Sequence, residues 1–233
     1  MFFKLTGGFK LLVVCLFMTA ACILLCNQAQ AGQIKFDFED AKQLKEWEVI
    51  SGDWKIKGGI ITGEFAKPAP GSDNGVGIVY GDVNWTDYTL ELKIRSDAGA
   101  TNAPGPIARF TDISNYYFFE CYANQMIFRP HTGGTDRVWV EQAAVPGFPG
   151  LGNWHDLKIE LKGNHVKILV DDKEVLDFDS KFPVEKGKIG LTTWGLAGEI
   201  TSYDDLVVSG DKIKGRPVNP KGKLTSVWGK IKN

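Results

Sequence analysis

The sequence predicts an all-β domain made of two packed antiparallel sheets. Three observations carry that prediction. From position 34 onward apolar residues recur with period two, the repeat of a half-buried strand. The chain holds 27 Gly beside 7 Trp, 6 Tyr and 14 Phe, a composition of aromatic-rich short runs punctuated by turns. No amphipathic helix is recognisable before the C-terminal tail. At 233 residues, 43% hydrophobic and 24% charged, the chain is globular in composition and has room for one ordinary domain. The formal charge of −1 argues against nucleic acid as a partner, because phosphate binding needs a basic face.

The first element is an address. Lys4 and Lys10 precede an apolar run over 11–25, and Ala29-Gln30-Ala31 follows. This is the layout of a secretory signal peptide cut after Ala31, which makes the protein exported, to a periplasmic or extracellular location. The run is shorter than the roughly 20 residues that a membrane span needs. Two alternatives stand beside this reading, an uncleaved anchor and a lipoprotein using Cys22. Against the second, the apolar run continues past Cys22, and Thr19 stands where a lipoprotein signal has Leu. No membrane partner is expected beyond the signal. Cleavage removes Cys15, Cys22 and Cys26 and leaves Cys121 alone, so no intrachain disulfide supports the mature domain. Set among Phe118, Phe119 and Tyr122, Cys121 is expected to be an inert core residue.

The domain follows over 32–210. Ile34, Phe36 and Phe38 alternate with polar neighbours, as do Leu90, Leu92 and Ile94, then Leu157, Ile159 and Leu161, then Val166, Ile168 and Val170. Ile189 with Leu191 and Leu206 with Val208 close the series, which amounts to about a dozen strands. Lys57-Gly58-Gly59, Lys162-Gly163-Asn164 and Asp171-Asp172-Lys173 supply hairpin turns. Two segments, 68–75 and 146–152, are Pro- and Gly-rich loops of the kind that frame a site at a sandwich rim or merely connect strands. Beyond Gly210 the tail 211–233 is basic, with Pro217 and Pro220 favouring an extended course. A solvated tail and contact with an anionic surface are both open readings of it.

Several of these segments resemble a known family. They are Phe36-Asp37-Phe38-Glu39, Trp47-Glu48-Val49, Gly52-Asp53-Trp54-Lys55-Ile56, Trp154-His155-Asp156-Leu157 and Tyr203-Asp204-Asp205-Leu206. In this order they resemble concanavalin A-like jelly rolls, specifically laminin-G-like and 3-keto-disaccharide-hydrolase-like (family-16-like) bacterial domains. The resemblance implies a jelly-roll sandwich of two antiparallel sheets, with sugar bound at a concave face or rim. Fold alone does not fix function.

Alternation also picks out one face. Tyr116, Phe118, Glu120 and Tyr122 point opposite Tyr117, Phe119 and Cys121. If the strands between Ile107 and Glu141 are neighbours, Arg109, Glu120, Tyr122, Arg129, Trp139 and Glu141 share that face, and Trp194 joins them. Aromatic rings pack on the C–H face of a sugar, and carboxylates and guanidinium groups bond its hydroxyls, so carbohydrate is the expected ligand. The competing account is a solvated face with ordinary Arg–Glu pairs. A protein-interaction role in the envelope is a further alternative.

An enzyme needs more. Glu120 and Glu141 are the candidate acid pair for glycoside cleavage. The Glu-x-Asp-x-x-Glu strand of retaining jelly-roll glucanases is missing, and so is a Gly-x-Ser-x-Gly elbow. His131, His155 and His165 lack zinc spacing, and His155 at a strand start is expected to be structural. Asp37, Glu39 and Asp205 would become neighbours if the first and last strands pair, which raises a structural Ca²⁺ as the one candidate cofactor. Asn84-Trp85-Thr86 matches a glycosylation sequon, a triplet that also arises by chance.

Overall fold

The computed structural model describes residues 32–65, 76–99, 103–133, 141–194 and 197–215. All of them lie in Gly32–Asn233, the second of two units into which the chain divides. The opening strands are β1 (Gly32–Phe36), β2 (Glu48–Val49), β3 (Asp53–Lys57), β4 (Ile60–Glu64) and β5 (Val76–Tyr80). Then come β6 (Tyr88–Ala98), β7 (Gly105–Asp112), β8 (Asn115–Tyr122), β9 (Gln125–His131) and β10 (Glu141–Ala144). The chain closes with β11 (His155–Lys162), β12 (His165–Val170), β13 (Lys173–Asp179), β14 (Lys188–Thr192) and β15 (Ile200–Gly210). A single 3₁₀ turn over Ala41–Glu46, capped by the Asp40 carboxylate on the Lys42 N–H at 2.9 Å, is the helical element among the described residues. None there is long and apolar enough to cross a membrane.

The strands form two antiparallel sheets, as the alternation requires. One runs β13-β12-β11-β6-β15-β4-β3 with β1 added beside β15, and the other runs β10-β9-β8-β7-β14-β5-β2. First and last strands do pair, Phe36 opposite Leu206 and Gly32 opposite Gly210. The core lies between the sheets. Leu90, Leu92, Ile159 and Ile168 from the first sheet meet Tyr117, Phe119, Met126, Phe128 and Leu191 from the second. Each such side chain contributes roughly 1.5–3 kcal/mol of burial, which is how the domain stands without a disulfide. Cys121 belongs to this core, and burial pushes its thiol well above the ordinary value, so it is inert as expected.

The hairpin turns are where sequence placed them. Asp171 and Asp172 take φ of 49° and 61°, the left-handed pair of a type I′ turn, and the Asp171 carboxylate accepts the Asp156 N–H at 3.0 Å. The same carboxylate holds His155 Nδ1 at 2.9 Å, while the His155 ring meets Phe148 edge-on. His155 is structural.

Arg109 departs from expectation. Simple alternation puts its side chain on the face of Ile107. Instead its backbone turns left-handed, φ 53°, and the pairing of β7 with β8 shifts register between Ala108 and Asp112. This bulge restores Phe110 to the face of Ile107 and sends the guanidinium the other way, over the Tyr117 ring at 5.6 Å. There Arg109 is 1% exposed and donates to the carbonyls of Val184 at 3.0 Å, Gly163 at 2.6 Å and Thr86 at 3.4 Å. It ties three connections to the end of the sandwich and is not a ligand-binding residue. Gly187 packs so closely on the bulge that a Cβ there would overlap the Arg109 carbonyl carbon. Replacing Arg109 by Met leaves those acceptors without their donor and is expected to cost about 2–4 kcal/mol in denaturant unfolding. A loss below about 0.5 kcal/mol, the level of a neutral surface change, would contradict the clamp.

Candidate functional site

The outer face of the seven-stranded sheet carries the polar groups that the core does not use. Val76, Val79, Ile107, Phe110, Tyr116 and Phe118 form a second apolar cluster there, separate from the main core. Within this surroundings sit Glu120, 3% exposed, and Arg129, 8% exposed. Arg129 stands opposite Phe118 in the β8–β9 ladder, and its Nε donates to Glu120 Oε2 across the diagonal. Charges so buried stay in place only when paired, since each costs several kcal/mol to desolvate. Next along the ladder, His131 stands opposite Tyr116 and stacks on it with centroids 4.3 Å apart and planes at 10°.

A close-packed glycine adjoins the pair. Ile107 lies opposite Phe118, so two residues back Gly105 lies opposite Glu120, and Thr192 pairs Gly105 from the other side. No side chain would fit at Gly105, because a Cβ there would overlap the Phe119 carbonyl oxygen. Thr192 turns its hydroxyl to the Gly105 carbonyl at 2.9 Å. This stretch is pinned from the opposite sheet. Tyr203, fully buried, accepts the Gly105 N–H at 3.1 Å and donates to the Thr192 carbonyl. Burial holds that phenol well above its ordinary pKa, so it remains a neutral donor. The ladder continues through Cys121 N–H to the Pro104 carbonyl and Ala103 N–H to the Trp194 carbonyl, at 2.8 and 2.7 Å. By that register Tyr122 lies two residues from Glu120 on the side away from Arg129, and both it and Trp194 are half-buried.

The predicted residues therefore separate. Glu120, Arg129 and Tyr122 come together on one face, and Trp194, whose carbonyl accepts the Ala103 N–H, stands half-buried just past β14. Arg109 is inside the sandwich. Glu141 pairs Phe128, so the register puts it on the opposite face from Glu120, exposed, and Gln142 takes the position opposite Ile127 instead. The Glu120–Glu141 acid pair does not form. Trp139 lies outside the described residues. Sequence reasoning missed Gly105, Thr192 and the stacking of His131 on Tyr116. The last was accessible, because a tight Ala123-Asn124 turn fixes the β8–β9 register.

The acids proposed for calcium do not converge either. The Asp37 carboxylate accepts Gln43 Nε2 at 2.8 Å, a bond that lowers its pKa. Glu39 lies against Gly59, and Asp205 is paired to Lys35 at 3.1 Å. Among the described residues no three His, Cys, Asp or Glu gather where a metal ion would sit. The expected repulsion is nevertheless there, on Asp204: burial raises its pKa, and the charges of Asp205 and Glu39 add to the rise.

Comparison with known proteins fits this geometry. The family described as the 3-keto-alpha-glucoside-1,2-lyase-like domain matches residues 36–209. The chain belongs to that family. All the site residues just described fall inside the matched span. No curated protein sequence matches the chain. Among solved structures, the carbohydrate-binding module CBM66 from Bacillus subtilis shares 19% identity at a TM-score of 0.59, covering 71% of this chain and 96% of its own. A β-1,3-1,4-glucanase (lichenase) from a mouse hindgut metagenome shares 15% identity at a TM-score of 0.56, with coverage of 77% and 99%. The GH43 protein BlXynB from Bacillus licheniformis shares 10% identity at 0.57, covering 76% of this chain but only 39% of its own. These likenesses establish the jelly-roll fold of this member of the 3-keto-alpha-glucoside-1,2-lyase-like family.

Two outcomes are expected of the site's charges. Replacing Glu120 by Leu or Arg129 by Met strands the partner charge, and each is expected to cost about 3–5 kcal/mol, whereas the double variant restores much of that loss. Additivity within about 0.5 kcal/mol in a denaturation cycle would contradict the pairing. Asp204 works through pH. Its folded carboxyl holds the proton more tightly than the unfolded one, so the contribution favours folding in acid and is lost as pH rises through the raised value. Asp204→Asn is therefore expected to raise Tm at pH 7 and to lose that advantage by about pH 3. An unchanged Tm at pH 7 would contradict it.

Proposed function

We propose that this chain is an exported protein that binds a glucoside on the outer face of its seven-stranded sheet. The observation that carries the reading is the Glu120–Arg129 pair, buried on that face in the strand next to Gly105, with Tyr122 two residues along from Glu120. A pyranose offers the complement: hydroxyls for the carboxylate and guanidinium, and a C–H face for an aromatic ring. The family description supports a glucose-derived ligand, and CBM66 on the same fold is a carbohydrate-binding module. The positive start, apolar run and Ala-x-Ala of residues 1–31 support export.

A second reading follows from the family description, which names a 1,2-lyase acting on 3-keto-α-glucosides. A ketone at C3 acidifies the C2 proton. Glu120 would remove that proton, the C1–C2 double bond would form, and the C1–oxygen bond would break with its electron pair leaving on the departing alcohol. Arg129 would stabilise negative charge on the C3 oxygen, and His131, two residues beyond Arg129 on the same face, would return a proton to the leaving group. This route needs one carboxylate, in keeping with Glu141 being turned away.

The test uses the full chain on immobilised glucosides, followed by incubation with plain and 3-keto-α-glucosides and product analysis. Retention of at least one glucoside is expected, weakened about tenfold or more by Trp194→Ala, a loss of about 1.4 kcal/mol. Release of an alcohol from the 3-keto substrate alone, abolished by Glu120→Gln, is expected of the lyase. Equal retention by wild type and Trp194→Ala on every glucoside would overturn the binding face.

A further inference from the structure

The charge of the chain is divided sharply along its length. Residues 32–210 hold 18 Lys and Arg against 27 Asp and Glu, a net −9, whereas 211–233 hold 7 against 1, a net +6. An anion is therefore repelled by most of the domain and attracted where the chain leaves β15. A cavity of about 370 Å³ opens at that place, lined by Ile34, Tyr80 and Trp85 and walled by Lys212 and Lys214.

The aromatic part is preformed. Tyr80 and Trp85 stand with ring centroids 6.1 Å apart. Tyr80 is braced by Phe36, edge-on at 4.8 Å, and by Trp47 at 5.4 Å. Trp85 packs so closely on Gly81 that a Cβ there would overlap the indole. The turn that carries Trp85 is closed by its N–H on the Asp82 carbonyl at 3.1 Å.

The two cations are held as well. Ile213, between them, sits in the main core at 3% exposure, and its N–H donates to the Gly210 carbonyl at 3.0 Å. Its own carbonyl lies where a Cβ on Gly32 would be, so the segment is strapped against β1. With Ile213 pinned inward, Lys212 and Lys214 stand exposed on the cavity wall. No ion pair to either occurs among the described residues. The acids that also border the cavity are already engaged. Asp82 Oδ1 accepts the Asn84 N–H at 2.8 Å and Nδ2 at 3.0 Å, and Glu46 is not free. Lys186, donating to the Asn84 side-chain oxygen at 3.1 Å, adds a third cation beside that turn.

We propose that this cavity binds an acidic polysaccharide, with the C–H face of one uronate ring on Tyr80 or Trp85 and its carboxylate between Lys212 and Lys214. Two demands select this occupant. The aromatic wall calls for a ring with an apolar face, and the unpaired ammonium groups call for an anion. A neutral sugar meets only the first demand and inorganic phosphate only the second. The volume falls within the roughly 300–1,000 Å³ of small-ligand sites, which suits a sugar ring. Arg216, Lys221, Lys223, Lys230 and Lys232 follow in the sequence and supply charge for neighbouring acidic units. The site shares no residue with the Glu120–Arg129 face and does not depend on the glucoside reading.

The experiment titrates the full chain by calorimetry with an oligogalacturonate, with the same oligomer methyl-esterified, and with phosphatidylglycerol vesicles. The free acid is expected to bind about tenfold or more tightly than the ester, and to lose that advantage in about 1 M salt, where the screening length is roughly 3 Å. Lys212→Gln with Lys214→Gln, both exposed, is expected to weaken the free acid about tenfold at unchanged Tm. The matching Arg pair is expected to retain binding, and Lys230→Gln with Lys232→Gln to cost about threefold or less. Equal binding of acid and ester, equal losses from the two Gln pairs, or no binding of the oligogalacturonate would overturn the site. Binding to the vesicles alone, lost with Lys212 and Lys214, would also overturn it and assign the patch to a lipid surface.

Discussion

A guanidinium buried to 1% exposure needs protein acceptors, and Arg109 places its two terminal nitrogens on the carbonyls of Thr86, Gly163 and Val184, although its Nε finds none. Much of the seven-stranded sheet follows from that demand. To reach those carbonyls the backbone turns left-handed at one residue, which costs on the order of 1–3 kcal/mol for a side chain other than glycine. The Arg109 N–H is satisfied in the same turn by the Tyr88 hydroxyl at 2.7 Å. The bulge then returns Phe110 to the outer face and withdraws a cation from it.

Burying Glu120 with Arg129 is a poor way to gain stability, because an apolar pair of similar volume would serve as well or better. Such a pair does set chemistry in place. The surrounding Ile107, Phe110, Tyr116 and Phe118 lower the local dielectric, which strengthens every charge-assisted hydrogen bond offered to a ligand. The Tyr203 bonds to Gly105 and Thr192 supply the complementary rigidity, since they tie the neighbouring strands to the opposite sheet. A preformed polar site with a fixed floor spends little of its binding free energy on ordering itself.

What the sequence revealed and concealed follows the range of each interaction. Period-two runs such as Leu157, Ile159 and Leu161 are local, so the strands, the two-sheet core and the turn at Asp171-Asp172 were legible. The membership of Tyr122 and Glu120 on one face is local too. Arg109 was assigned wrongly because one left-handed residue inverts the alternation, and nothing in Ile107-Ala108-Arg109-Phe110 signals it. Glu141 was assigned wrongly because its face depends on how β10 registers against β9 after a long connection. Gly105 resembled turn punctuation, although it lies in β7, where a Cβ would overlap the Phe119 carbonyl oxygen. First and last strands do pair, which was the condition set for the calcium reading. The acids still do not gather, since Lys35 pairs with Asp205 and Gln43 bonds Asp37, and the unfavourable charge falls on Asp204 instead.

The central claim is that a sugar ring sits on the outer face of the seven-stranded sheet against Glu120 and Arg129. A crystal structure of the protein with a bound glucoside tests it most directly. The account predicts ring density on that face, sugar oxygens within about 2.7–3.2 Å of the Glu120 carboxylate or the Arg129 guanidinium, and Tyr122 or Trp194 against a C–H face. A glucoside seated instead on the outer face of the eight-stranded sheet, with Glu120 and Arg129 untouched, would contradict it.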